Sequence, residues 1–160
     1  MRQSDSKRVS RDQYDAVLFD LDGVVTDTAS LHATCWKQMF DEYLQKRARY
    51  RGEAFRPFDL ATDYRLYVDG KPRFDGVRDF LSSRGIQLPE GHPDDPAEVE
   101  TVCGLGNHKN DLVNHVIAEV GVEPYDGTVR FIHQLRRNGF KIAVVTSSQN
   151  CTAVLKAAKL

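Results

Sequence analysis

The chain has 160 residues, 41% of them hydrophobic and 28% charged, with a formal net charge of -1. That size and balance fit one globular domain, or a domain with an insertion, and argue against a nucleic-acid binder, which carries a basic excess. No uninterrupted apolar run approaches the roughly 20 residues of a membrane span, and Cys35, Cys103 and Cys151, far apart and in no CxxC spacing, read as reduced thiols of a cytoplasmic protein.

Residues 1–13 are polar and charged with no apolar core, so they read as a flexible arm and not as a secretory leader. "AVLF", residues 16–19, is short, continuous and apolar, as expected for a strand covered on both faces in a parallel sheet. It runs into Asp20 and Asp22, which strand alternation puts on one side, roughly 6 to 7 Å apart if extended. Gly23 lets the chain turn sharply behind them. Two like charges at a strand end imply a cation, a shared proton or a reaction. An EF-hand calcium loop is excluded, because it needs glycine at its sixth position and glutamate at its twelfth, whereas the twelfth residue from Asp20 is Leu31. Thr26, Asp27 or Thr28 can cap a helix from about 29 to 49, with Leu31, Cys35, Met39 and Tyr43 in one apolar stripe and Trp36, Phe40 and Leu44 beside it.

Residues 51–73 are rich in aromatics, charges and turn formers and show little periodicity. "DGVRDFLSSRG" predicts a short helix ending at Gly85, and a Pro/Asp/Gly loop follows. "AEVETVCGLG" and "NHKNDLVNHVIAEVG" read as two helices, the second with Leu112, Val116 and Val120 along one side. "DGTVRFIHQLRRNG" predicts another helix, with Val129, Ile132 and Leu135 inward. "FKIAVVTSS" is a second buried-type strand, Ile142 to Val145, running into hydroxyls and then a helix start. A threonine at a strand end before helix N–H groups is a generic phosphate cradle, though Thr and Ser also serve as plain caps. Two apolar strands joined by helical crossovers predict a parallel α/β sheet, with a helical insertion over about 29–115 above the strand ends, where such sheets hold ligands. Two strands do not make an independently stable parallel sheet, so the pattern reads as the front part of a larger α/β domain.

"LFDLDGVVTDT" and, 125 or so residues later, "KIAVVTSSQN" resemble the first and second motifs of the haloacid dehalogenase-like superfamily of phosphotransferases. "DTASLHATCWK", "GKPRFDG" and "NHKND" resemble cap segments of its beta-phosphoglucomutase family, and the likeness runs from Asp15 onward. The resemblance implies a Rossmann-like core formed by residues 14–28 and 116–160, holding only the first strands of its parallel sheet, with a helical cap at 29–115. It implies that Asp20 is the nucleophile, forming an aspartyl-phosphate, and Asp22 the general acid/base. Magnesium would be held by Asp20 and the backbone carbonyl of Asp22. Thr146 and the Ser147 N–H would bind phosphate oxygens; Arg73, Lys109 and Asn150 match contacts to the phosphates or the site; His32 matches a cap-hinge histidine that positions the acid/base. Read from the residues alone, His32 is as well a packed helix histidine, and Arg73 and Lys109 are as well solvated charges.

The superfamily's third motif, a lysine, and its fourth, an acidic pair, have no counterpart, since only 14 residues follow Thr146. Three readings follow from the resemblance. The first is a magnesium-dependent phosphomutase shifting phosphate between C1 and C6 of glucose. The second is a sugar-phosphate phosphatase. The third is a catalytically incomplete chain that binds a phosphosugar or a partner, its carboxy-terminal core segment missing or supplied by fusion. The expected ligand is a small sugar phosphate, without nucleic acid or membrane.

Overall fold

A computed structural model describes residues 9–160, so most of the arm expected over 1–13 lies outside the described residues. The elements in chain order are β1 (Ala16–Phe19), α1 (Ala29–Arg51), a π-helical turn (Tyr64–Val68), α2 (Arg73–Ser83), α3 (Val102–Val120), α4 (Asp126–Arg137), β2 (Lys141–Val144) and α5 (Cys151–Ala157). The two strands pair in parallel, Ala16 opposite Lys141 through Phe19 opposite Val144. β2 thus sits one residue earlier than its apolar run predicts, because pairing and not hydropathy sets its ends. Both strands finish on the same side of the sheet, which carries Asp20 and Thr146 to one place.

The helices form two apolar clusters. In the first, Trp36, Met39, Phe40 and Tyr43 of α1 pack with Phe58, with Val77, Phe80 and Leu81 of α2, and with Val102 and Leu105 of α3. Phe40 sits at its centre, fully buried, with ring centroids 5.4 Å from Trp36, 5.1 Å from Phe58 and 4.1 Å from Phe80. In the second, Phe19, Leu21, Val25 and Cys35 meet Val113 and Ile117 of α3, Leu135 of α4 and Val154 of α5. α1 and α3 serve both clusters, and that continuity ties them together.

Three expectations are corrected. First, the strands are not covered on both faces: Val17, Phe19, Ile142 and Val144 pack inward, whereas Leu18 is 66% exposed and Val145 58%. The described helices that contribute to this cluster lie on one side of the sheet only. Second, "AEVETVCGLG" and "NHKNDLVNHVIAEVG" do not make two helices. Residues 97–101 lie outside any helix, Thr101 caps α3 by accepting the Gly104 N–H at 2.9 Å, and one helix runs on through Gly104 and Gly106. Those glycines allow close approach and do not end a helix: a Cβ on Gly104 would lie 2.0 Å from the Val99 carbonyl, and one on Gly106 2.6 Å from the Phe74 ring. Third, the buried line on α3 is Val113 and Ile117, with Leu112 and Val116 half-buried and Val120 80% exposed. One residue's rotation, about 100°, separates the two faces of a helix.

All three cysteines are free, Cys35 and Cys103 buried. Among the described residues no helix is long and apolar enough to cross a membrane.

Candidate active site

β1 ends at Phe19, and the next residues leave the strand. Leu21 is fully buried, and its carbonyl accepts the N–H groups of Val25 and Thr26 at 3.0 Å. Gly23, at φ +77°, makes that tight turn possible, as its place in the sequence predicts. The turn leaves Asp20 exposed at the strand end, with Oδ1 accepting the Leu21 N–H at 2.7 Å, and folds Asp22 toward the start of α1.

There Asp22 is gripped. The Thr28 hydroxyl donates to Asp22 Oδ1, and Thr28 is itself 3.0 Å from the Thr26 hydroxyl, which donates to the Leu21 carbonyl at 3.2 Å. Thr28 occupies the cap position of α1 but makes no side-chain cap bond; its hydroxyl is turned to the Asp22 carboxylate instead. His32, one turn further on, is buried with Nε2 3.2 Å from Asp22 Oδ1 and Nδ1 2.8 Å from Lys109 Nζ. A protonated lysine can only donate, which makes Nδ1 the acceptor and leaves the ring proton on Nε2, which lies close to Asp22 but is not aligned on it as a hydrogen bond.

These contacts set the charge state. Burial, the largest influence, pushes Asp22 upward, but the His32 ring, the Thr28 hydroxyl and the Lys109 charge together outweigh it and hold the carboxyl below its ordinary value. Lys109 is only 8% exposed and lies 5.0 Å from the Trp36 ring centroid. Desolvation brings it down to about 8, against the opposing pull of Cys35 and Asp22.

Facing this group is the turn after β2. The Thr146 hydroxyl accepts the Ser148 N–H at 3.0 Å, and Ser148 Oγ accepts the Asn150 N–H at 3.2 Å. Two polar bridges join it to the helical layer: Arg73 Nη1 donates to Gln149 Oε1 at 2.5 Å, and Asn150 Nδ2 to Asn110 Oδ1 at 2.9 Å. Arg73 Nη2 also donates to Asn107 Oδ1 at 2.9 Å, while its Nε is buried without a partner.

Asp20, Asp22, His32, Arg73, Lys109, Thr146, Ser147 and Asn150 all line one cavity of about 180 Å³. Lys109 is therefore not a solvated charge, Arg73 is half-buried with its guanidinium bonded to Gln149 and Asn107, and His32 is buried close to Asp22. Thr28, Asn107, Asn110 and Gln149 escape a reading of the sequence. Short polar residues beside a helix start look like ordinary caps, and only the fold shows which acceptor they meet. Trp36, expected as core, is core on one side and cavity wall on the other.

The haloacid dehalogenase-like hydrolase family profile matches residues 14–160. The chain is 56% identical over 140 residues to proteins named beta-phosphoglucomutase from Mycobacterium tuberculosis and Mycobacterium bovis, covering 88% of this chain and 53% of theirs. It thus spans about half the length of these relatives. A hydrolase from Pseudomonas syringae superposes with a TM-score of 0.65 at 17% identity, over 92% of this chain and 57% of that one. CbbY from Rhodobacter sphaeroides, crystallised as a variant with xylulose-(1,5)bisphosphate, superposes with a TM-score of 0.60 at 21% identity, over 89% and 56%. A carboxylate pair after the first strand, a hydroxyl turn after the second and a helical layer above both accord with these matches, and the chain belongs to the haloacid dehalogenase-like hydrolase family.

Proposed function

We propose that the cavity transfers a phosphoryl group between a sugar phosphate and Asp20, as a beta-phosphoglucomutase does. The observation that carries this is the unequal treatment of the two carboxylates. Asp20 is exposed and has an oxygen free for attack, while Asp22 is held by Thr28 and the His32–Lys109 pair.

Asp20 attacks phosphorus, the bond from phosphorus to the sugar oxygen breaks, and Asp22 delivers a proton to that oxygen. In return, another sugar hydroxyl gives its proton to Asp22 and takes the phosphoryl group from Asp20. Before substrate arrives, His32 and Lys109 keep Asp22 ionised. A phosphate dianion settling beside it pulls the other way and loads it with the proton the first step needs. Thr146 and Ser147 receive phosphate oxygens at the sheet, and Arg73, which lines the same cavity, is a cation for a second phosphate. Two cations, Arg73 and Lys109, on one cavity suit a substrate charged at both ends.

Asp20 and the backbone carbonyl of Asp22 are hard oxygen donors of the kind magnesium takes alongside water and substrate phosphate. No group of three or more acidic, histidine or cysteine side chains gathers among the described residues, so the fit is to an ion held by few protein ligands. Bound there, magnesium would neutralise charge on the transferring phosphoryl group. A cytoplasmic setting, with the cysteines kept as thiols, accords with this reading.

The test is conversion of beta-glucose 1-phosphate, with magnesium and a glucose bisphosphate primer, by the chain and by Asp20→Asn. Product from the chain alone supports the proposal, and equal activity in both removes Asp20 as nucleophile. A phosphatase is the second reading, favoured by the exposure of Asp20, which water reaches as the structure stands. Release of inorganic phosphate without isomerisation would select it. Binding of glucose 6-phosphate without any product would select the incomplete chain.

A further inference from the structure

Residues 64–70 hold none of the roles above, yet Tyr64, Val68, Asp69 and Gly70 build one wall of the cavity. The wall is a π-helical turn, closed by the Asp69 N–H donating to the Tyr64 carbonyl at 3.0 Å, and such turns recur where a helix must present a side chain to a site. It is pinned on its outer side: Asp63 pairs with Arg84 at 2.6 Å, and the Tyr64 N–H donates to the Asp59 carbonyl at 3.2 Å. Val68 is buried in the aromatic cluster, and the Tyr64 ring rests half-buried against that cluster while lining the cavity. Asp69 and Gly70 follow on the rim, Gly70 at φ +68° turning the chain toward Arg73.

The chemistry of this wall differs from the rest. Elsewhere the cavity offers the reacting carboxylates Asp20 and Asp22, the cations Arg73 and Lys109 and hydroxyl groups, the set that phosphoryl transfer uses. Here it offers a phenol and a carboxylate, and Lys71, which would offset the carboxylate, is paired with Asp79 at 2.5 Å. Burial first, then Asp69, then Asp22 push the Tyr64 phenol up to about 12, so it remains a donor at any ordinary pH. A carboxylate on the rim repels a phosphate but accepts from neutral hydroxyls. A fixed aromatic face with a donor and an acceptor side by side matches a polyhydroxylated ring.

We propose that Tyr64 and Asp69 are the specificity-determining pair for the sugar portion of the substrate, Tyr64 donating to one ring hydroxyl and Asp69 accepting from its neighbour. The inference rests on the phosphosugar reading of the cavity. It is tested by calorimetric titration of the full chain, Tyr64→Phe and Asp69→Asn with glucose 6-phosphate and with inorganic phosphate, the folding of each variant checked by thermal melting. The chain should prefer glucose 6-phosphate by about tenfold or more, and the ratio should fall to about threefold or less in either variant. An unchanged ratio in both variants overturns the pair, including the case where both affinities fall together, as a purely structural role predicts. A wild-type ratio near one overturns the pair alone and leaves phosphoryl transfer standing. Absence of phosphate binding by the wild-type chain overturns the phosphoryl-transfer proposal and this pair with it.

Discussion

The two halves of the molecule are built to different standards of burial. The aromatic cluster between α1, the π-helical turn and α2 encloses its side chains on all sides, with Phe40, Phe80 and Val77 fully out of solvent. The two-stranded sheet buries one face and leaves Leu18 and Val145 in water on the other. Parallel strands ordinarily have both faces covered, and each exposed apolar residue forgoes about 1.5 to 3 kcal/mol of burial. The difference places the stability of this chain in its helical half and its chemistry at the junction, where Asp22 from the sheet side meets His32 and Lys109 from the helices.

The sharpest way to break that contrast is Phe40→Ala, which empties the space between three rings and should cost about 3 to 5 kcal/mol. Denaturant unfolding would show it as a lower midpoint, and a cost under about 1 kcal/mol would refute the division. Lys109 comes next. Its folded value of about 8 lies below its ordinary 10.5, so the unfolded chain binds more protons between those pH values. Stability therefore rises from about pH 8 to 10.5, by about 3 kcal/mol for this group, and the burial cost is fully present below about pH 8. Lys109→Met should remove this slope, measured as the difference between the two proteins' unfolding free energies against pH. It should also lower phosphoryl transfer at least about tenfold, by freeing His32 and Asp22. A melting temperature that falls steeply would make Lys109 a structural ion and contradict this account.

Smaller effects refine the comparison. Thr101→Ala removes the cap of α3 and should cost about 1 kcal/mol, with Thr101→Asn largely restoring it, read by thermal unfolding. Leu18→Ser, on the bare face, should change the stability of this chain by less than about 0.5 kcal/mol. It should also reduce self-association, measured by light scattering. A large loss of stability would mean that this face is covered in solution.

The local pattern of the chain carries much of this. The apolar runs at 16–19 and 142–145, the acidic pair and the glycine behind them, and the hydroxyl turn at 146–148 mark the site because strand alternation and turn chemistry are short-range effects. Helix α1 is legible for the same reason, through a repeating apolar stripe. Glycines mislead, since Gly104 and Gly106 look like helix breakers until the Val99 carbonyl and the Phe74 ring are seen against them. The face of α3 is also missed by one position, because Leu112, Val113, Val116 and Ile117 are all apolar and only packing selects among them.

Thus the sequence by itself determines which residues can do the chemistry: two carboxylates, a hydroxyl turn, and a histidine, an arginine and a lysine placed among helices. The tertiary structure decides what each one meets. Thr28 serves Asp22 and not its helix, Lys109 is buried against Trp36 with its charge aimed through His32, and Tyr64 turns from an irregular stretch into a cavity wall. The physical reason is range. Propensity and alternation act over a few residues, whereas desolvation and hydrogen-bond partnership depend on groups 77 positions apart, as between His32 and Lys109, that meet only once the fold has formed.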